Sequence, residues 1–132
     1  MNKFVAKYGR ILVPLITPYG ENEEVDYVQY EKLIDYIITN KLGDSLIVTG
    51  TTGEASLLTF DERVKLMETA INAAAGRMPV IAGTGCASTK ETIALTQKAE
   101  ELGIETCLVV VPFYIKPTPV SYTHLRAHET SA

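Results

Sequence analysis

Several classes of protein are excluded by what this 132-residue sequence lacks. Basic residues are not in excess, because 12 Lys and Arg stand against 16 Asp and Glu, for a formal net charge of −4 at pH 7. A surface that binds phosphate backbones usually needs a basic excess, so neither nucleic acid nor a membrane surface is an expected partner. Apolar runs are also short, and none reaches the roughly 18 residues of a membrane-spanning helix.

Cysteines and histidines are too few, and too poorly spaced, to indicate a disulfide framework or a metal site. The two cysteines, Cys86 and Cys107, are not in CxxC spacing, which is typical of reduced cytosolic thiols. His124 and His128 lie four residues apart but do not meet the H-E-x-x-H order of zinc proteases, so no zinc site is predicted. The basic start, residues 1–10, lacks the long apolar core of a signal peptide. We therefore expect a cytoplasmic protein without a metal.

The rest of the sequence alternates predicted strands with predicted amphipathic helices. Four short apolar runs have strand composition, at residues 11–17, 45–50, 78–85 and 106–114. Helix starts are indicated by Asp26 and by two capping boxes, Thr59 with Glu62 and Ser88 with Glu91. The order is βαβαβαβ, and uniformly apolar runs predict a parallel sheet, with the first strand buried on both faces.

Two α/β architectures fit this order. One is a small doubly wound binding domain, and the other is the first half of a (β/α)8 barrel, which takes about 250 residues in full. A phospho-receiver domain of the doubly wound kind needs an acidic residue at the end of a central strand. The strand ends here carry Thr17, Thr51, Thr84 and Tyr114 instead, which argues against that type.

Three turns follow the predicted strands at the edge where ligands of α/β proteins bind. In residues 50–54, Gly-Thr-Thr-Gly-Glu, glycines permit a tight turn with exposed amides, and threonines add hydroxyl groups, which together suit a small carboxylate. The GK[ST] ending of a P-loop is missing, and Ser88 replaces the third glycine of a dinucleotide fingerprint after residues 83–85. From the residues alone, purely structural turns fit equally well.

Tyr114 and Lys116 follow the last predicted strand. Tyr114 could present its hydroxyl at the mouth of the fold, but the residues alone favour a core tyrosine. A Schiff-base lysine needs an apolar pocket, whereas Lys116 lies beside Pro117 beyond the strand, so we interpret it as a solvated charge.

Taken together, the three turns resemble those of the dihydrodipicolinate synthase (4-hydroxy-tetrahydrodipicolinate synthase) family of pyruvate-dependent class I aldolases. The matching motifs keep their order and spacing from about Ile11 to Pro119, at residues 50–54, 83–85 and 112–117. The resemblance implies a (β/α)8 TIM barrel, here its first four strands with three helices. N-acetylneuraminate lyase and sugar-acid aldolases of the same family are an alternative, which the Thr51–Thr52 pair and the proline after Lys116 disfavour.

The resemblance also implies chemistry and partners. Family members form a Schiff base between pyruvate and a lysine, without another cofactor, and the enamine attacks L-aspartate 4-semialdehyde in the diaminopimelate route to lysine. Thr51 matches the proton-relay threonine and contributes to pyruvate binding, and Thr52 matches the residue that holds the pyruvate carboxylate. Tyr114 matches the tyrosine that crosses a tight dimer interface into the neighbouring site, in a homotetramer.

Two catalytic elements of the family have no match in this sequence. The second relay tyrosine and the Schiff-base lysine lie on the fifth and sixth strands, so this chain alone is expected to be inactive. We divide the chain into residues 1–119, the amino-terminal half of the synthase domain, and residues 120–132. That tail continues no helix or strand period and resembles translated adaptor sequence, so we interpret it as non-native.

Feedback by lysine is expected to be weak or absent in the parent enzyme. Ser56, Glu91 and Phe113 stand at positions compatible with the family's allosteric lysine site, which usually has tyrosine in place of Phe113. Phe60 and Ala87 fall where lysine-sensitive members place histidine and asparagine.

Overall fold

The fold is a single parallel sheet with helices on one face. The computed structural model of the chain describes residues 2–129, without the side chains of residue 122 and residues 126–129. The strands are β1 (Leu12–Pro14), β2 (Ser45–Val48), β3 (Val80–Gly83) and β4 (Cys107–Leu108). The helices are α1 (Lys3–Tyr8), α2 (Tyr27–Thr39), α3 (Phe60–Ala74), α4 (Thr89–Glu101) and α5 (Pro119–Glu129), and a short 3₁₀ turn covers Ala55–Leu57.

The strands lie in sequential order, β1-β2-β3-β4, and every neighbouring pair is parallel. Leu46 of β2 sits opposite Val80 of β3, and Ala82 of β3 sits opposite Cys107 of β4. Doubly wound sheets reverse their strand order at a switch point, whereas a (β/α)8 barrel adds each strand beside the last. The half-barrel prediction is therefore confirmed, and the doubly wound alternative is wrong.

The predicted helix starts are largely confirmed. The Asp26 carboxylate accepts a hydrogen bond from the Gln29 amide at 2.9 Å and caps α2. At the start of α3, the Thr59 hydroxyl accepts from the Glu62 amide while the Glu62 carboxylate accepts from the Thr59 amide, a complete capping box. Ser88 caps α4 by accepting from the Glu91 amide at 3.4 Å, and the reciprocal bond is not seen among the described residues.

The core lies between the sheet and the three connecting helices, α2, α3 and α4. The apolar stripe that the 3.6-residue period predicted on each helix faces the sheet. The largest core side chains are fully buried: Tyr30, Ile34, Leu46, Val48, Leu66, Met67 and Leu95. Burial of this layer supplies the main stabilisation of the fold, at about 25 cal/mol for each Å² of apolar surface removed from water.

The prediction that the first strand is buried on both faces is wrong. Pro14 is exposed, and Ile16, just past β1, is 55% exposed. Leu108 in β4 is 52% exposed. The helices cover only one face of the sheet, so at these two edge strands the residues that alternate away from the helices meet solvent within the described part of the chain.

Two helices lie outside the predicted pattern. The α1 helix packs at the amino-terminal ends of the strands, where buried Tyr8 accepts a hydrogen bond from the Thr106 hydroxyl at 2.6 Å. The α5 helix occupies most of the tail and lies against α4, with Leu125 buried. The expectation that the tail lacks helical structure is therefore wrong for Pro119–Glu129. Its non-native origin stays a prediction, and residues 130–132 lie outside the described part.

We expect the 132-residue polypeptide to self-associate through its sheet, because β1 and β4 are edge strands with exposed apolar neighbours. Size-exclusion chromatography with light scattering should show species above monomer mass that grow with concentration. The Leu108→Lys variant should shift the population toward monomer, since a charge on an edge strand opposes pairing. Leu57→Lys is the control, because Leu57 is exposed but lies outside the sheet. A sharp monomer peak with cooperative unfolding would contradict this expectation.

Stability should depend on pH through Asp44, whose carboxylate accepts hydrogen bonds from the amides of Arg10 and Ile11 at 2.7 and 2.8 Å. These bonds lower the pKa of the Asp44 carboxyl. The ionised group therefore stabilises the fold above its unfolded pKa of about 4, and the contribution is lost as pH falls through the folded value. Urea midpoints should show Asp44→Asn less stable than wild type at neutral pH, with the gap closing in acid.

Glu68→Gln, at an exposed position of α3, is the control for Asp44→Asn. A gap between wild type and Asp44→Asn that is the same at neutral and acidic pH would show that the carboxylate bonds do not stabilise the fold.

Candidate functional site

A cleft of about 500 Å³ opens at the carboxyl-terminal edge of the sheet. Its walls come from the turn after β2, the turn after β3 and the segment after β4, together with the first turns of α3 and α4. The residues used below that line it are Thr49, Thr51, Ser56, Arg63, Gly83, Cys86, Ala87, Glu91 and Phe113. The three predicted turns therefore meet at one edge, as expected for parallel strands.

The turn at residues 50–54 is closed by its own backbone. The Gly53 amide donates to the Gly50 carbonyl at 3.1 Å, and the Glu54 amide donates to the Thr51 carbonyl at 3.0 Å. Both Thr51 and Thr52 are exposed, and their amides and hydroxyl groups make no hydrogen bond within the described residues. Two adjacent amides and two hydroxyl groups are thus available to an anionic ligand.

The glycines of these turns provide room rather than unusual dihedral angles. A Cβ at Gly83 would lie 2.5 Å from the Thr49 carbonyl oxygen, and a Cβ at Gly53 would lie 3.0 Å from that of Leu15. Positive φ occurs instead at Thr49 (53°), just before the turn, and at Glu54 (54°), its last residue. The conformational freedom of glycine is therefore not what these turns use. Glycine is needed because two backbones pack too closely to leave room for a side chain.

Two buried threonines fasten the turn to its neighbours. The Thr17 hydroxyl donates to the Gly53 carbonyl at 2.7 Å, and the Thr49 hydroxyl donates to the Gly83 carbonyl at 2.9 Å. Thr84, predicted as a strand-end residue, is fully buried, and its hydroxyl lies 2.9 Å from that of Thr96. The sequence analysis did not predict a role for Thr49. Its position as a polar residue directly after an apolar strand could have indicated one.

Arg63 is a second residue that the sequence analysis missed. It is 5% exposed, and its guanidinium donates from Nη2 to the Gly83 and Gly85 carbonyls at 2.8 and 3.2 Å and from Nη1 to the Cys86 sulfur at 2.9 Å. Nε has no hydrogen-bond partner among the described residues. The sequence did indicate that Arg63 would be buried, because it lies three residues before Leu66 and four before Met67, on the apolar face of α3.

Of the three predicted site residues, Thr51 lines the cleft, whereas Thr52 and Tyr114 do not. Tyr114 is fully exposed with φ of 72°, and its hydroxyl makes no hydrogen bond within the described residues. The core-tyrosine interpretation is therefore wrong. The neighbouring Phe113 does line the cleft. Lys116 is exposed, as predicted.

The described residues contain no group of three or more His, Cys, Asp and Glu side chains placed to hold a metal ion. His124 is exposed, and the side chain of His128 lies outside the description, so the interpretation of the histidine pair stays a prediction. Between residues 2 and 129, no helix is long and apolar enough to cross a membrane.

Comparison with known proteins gives one consistent family. The model of the dihydrodipicolinate synthetase family matches residues 7–128. The 4-hydroxy-tetrahydrodipicolinate synthase of Bacillus subtilis (strain 168) is 42% identical over 121 residues, which cover 91% of this chain and 41% of the relative. The chain thus spans about two fifths of the curated relatives that it matches.

Solved structures agree in fold. The chloride-inhibited dihydrodipicolinate synthase of Acinetobacter baumannii, crystallised with pyruvate, superposes with a TM-score of 0.85 at 37% identity, over 92% of this chain and 42% of that one. The N-acetylneuraminate lyase of Mycoplasma synoviae has a TM-score of 0.88 at 24% identity, over 96% of this chain and 44% of that one. At that identity the lyase shows a shared fold alone.

Proposed function

Because the chain belongs to the dihydrodipicolinate synthetase family, we propose that it is the amino-terminal part of a 4-hydroxy-tetrahydrodipicolinate synthase. Members of this family are aldolase-type lyases. The synthase is favoured over N-acetylneuraminate lyase because the relative from Bacillus subtilis is 42% identical, whereas the lyase of Mycoplasma synoviae reaches 24%. The Thr51–Thr52 pair and the proline after Lys116 support the same choice.

The proposed reaction condenses pyruvate with L-aspartate 4-semialdehyde in lysine biosynthesis by the diaminopimelate route. The complete enzyme would hold pyruvate as a Schiff base on a lysine of the sixth strand and would need no other cofactor. None of the four strands in the described part of the chain carries a lysine. We therefore propose that the 132-residue polypeptide is inactive by itself and that Lys116, which is exposed, does not substitute.

The observation that carries the proposal is the open turn at residues 50–54. A pyruvate carboxylate needs hydrogen-bond donors, and the amides and hydroxyl groups of Thr51 and Thr52 are unused by the rest of the described chain. We assign Thr52 to the carboxylate and Thr51 to both pyruvate binding and proton transfer. Hydroxyl groups can pass protons between groups within hydrogen-bond reach.

Tyr114 is assigned to the proton relay of a neighbouring subunit. Tyr114 is fully exposed, has a left-handed φ that non-glycine residues rarely adopt, and is absent from the cleft lining of its own chain. Its exposure fits a role that requires a second copy. The proposed complete enzyme is accordingly a cytoplasmic homotetramer built from tight dimers.

A hybrid enzyme tests the proposal. Residues 1–119 of this chain, joined to the complementary carboxyl-terminal part of the Bacillus subtilis relative, should condense the two substrates and form a pyruvate adduct that borohydride traps on a lysine. Thr51→Val should lower kcat by roughly a hundredfold, the smaller end of losses on removing a proton-transfer group. Thr52→Val should mainly raise KM for pyruvate, by roughly tenfold for one lost hydrogen bond to a charged ligand.

Thr39→Val, an exposed threonine at the end of α2, is the matched control and should leave both constants unchanged. The 132-residue chain incubated with pyruvate and borohydride should show no adduct by mass spectrometry. An active hybrid whose kcat is insensitive to Thr51→Val would contradict the assigned relay.

Weak inhibition by lysine is a separate expectation for the same hybrid. Ser56, Glu91 and Phe113 line the cleft, but Ala87 presents no amide there and Phe113 has no hydroxyl. Millimolar lysine should leave the hybrid largely active. The double variant Ala87→Asn and Phe113→Tyr, which restores both polar groups, should be the more sensitive enzyme. Strong inhibition of the unmodified hybrid would refute this expectation.

A further inference from the structure

Arg63 is buried, and no carboxylate among the described residues pairs with it. Arginine side chains are almost never fully buried unless they are paired, yet this guanidinium meets two backbone carbonyls and a thiol rather than a carboxylate. Its Nε lacks any partner in the described part of the chain. Desolvation of a cation under these conditions is costly. The proposed reaction assigns it no role, so its burial needs another explanation.

The Gly83 carbonyl joins Arg63 to the turn at residues 50–54 through Thr49. This one oxygen accepts from Arg63 Nη2 at 2.8 Å and from the Thr49 hydroxyl at 2.9 Å. The backbones also touch, because a Cβ on Gly83 would lie 2.5 Å from the Thr49 oxygen and 2.9 Å from the Gly50 nitrogen. The Gly83 carbonyl is therefore the single point that connects three elements: helix α3, the turn after β3 and the start of the turn after β2.

Thr49 needs such a restraint. It has φ of 53°, a left-handed conformation that is disfavoured for a β-branched residue. The chain direction into residues 50–54 is set by this dihedral angle, since Gly50 follows immediately. The Thr49 hydroxyl is held by the Gly83 carbonyl, and the position of that carbonyl is in turn fixed by Arg63.

We propose that Arg63 is a positioning residue, which keeps the turn at residues 50–54 in its ligand-binding shape through the Gly83 carbonyl and Thr49. The significance of that turn as a pyruvate site rests on the proposed function, whereas the mechanical link rests on the hydrogen bonds alone. Arg63 touches neither of the two threonines assigned to pyruvate by any hydrogen bond in the described residues. Its effect is transmitted through backbone.

Hydrogen exchange of the full 132-residue chain, followed by mass spectrometry, tests the link without substrate. The informative amides are those of Gly53, Glu54 and Ala55, which donate within the turn. Arg63→Met removes every donor while keeping an apolar stem, and should speed exchange of these amides by roughly tenfold, as expected when the bonds that restrain a locally opening segment are lost. Exchange in β2 and β3 should change much less. Arg63→Lys, which keeps one cation, should restore part of the protection.

Arg77→Met is the matched control. Arg77 also donates to backbone carbonyls, those of Ala73 and Ala74, and pairs with Asp35, but it lies three residues beyond the carboxyl end of α3. This variant should leave the turn at residues 50–54 unchanged. Thr49→Val keeps Arg63 and deletes only the hydroxyl that links Thr49 to Gly83, so it should reproduce the faster exchange. It takes the place of Arg63→Met as the test variant if Arg63→Met does not fold.

The results separate the proposals. Unchanged exchange of the Gly53, Glu54 and Ala55 amides in folded Arg63→Met, or in Thr49→Val, overturns the positioning role. An equal rise of exchange throughout the chain overturns it too, because that outcome reports general loss of stability. Faster exchange confined to the turn, together with an inactive hybrid enzyme, would support the positioning role and remove the proposed function alone.

Discussion

The site depends on how closely two backbone turns approach each other. Gly83 at the end of β3 packs directly against the backbone of Thr49 and Gly50 after β2, and its carbonyl accepts hydrogen bonds from both Thr49 and Arg63. Any side chain at residue 83 would separate the turns. The turn that carries the open donors of Thr51 and Thr52 begins at this contact.

At this edge of the sheet, support and the proposed chemistry fall to different residues. The buried side chains of Thr17, Thr49 and Arg63 fasten the turns, while the proposed ligand-binding residues, Thr51 and Thr52, are exposed. Binding groups placed on loops held by a rigid scaffold are the usual arrangement in barrels. Within the described residues, the supporting hydrogen bonds link separate strands and helices, so the shape of the turn is a property of the whole sheet edge.

Sequence reasoning succeeded where the physics is local. Capping at Asp26 and Thr59 and the apolar stripes on α2, α3 and α4 depend on residues a few positions apart, and they are confirmed. It failed where the outcome depends on distant partners. Arg63 and Gly83 are twenty residues apart, so no local pattern announced their bond. The apolar run predicted burial of β1. It did not predict that the face of β1 directed away from the helices would be exposed to solvent.

The sequential strand order also bears on how the chain could acquire its structure. Contacts run between neighbours, β1 with β2, β2 with β3, β3 with β4, and α2 with α3 before α4. Each strand–helix unit can therefore dock on the unit synthesised just before it, and short-range contacts of this kind favour rapid folding. During translation, the sheet and its helices could assemble unit by unit as the chain leaves the ribosome, while apolar residues exposed at the edge strands, such as Ile16 and Leu108, would be the natural target for a chaperone.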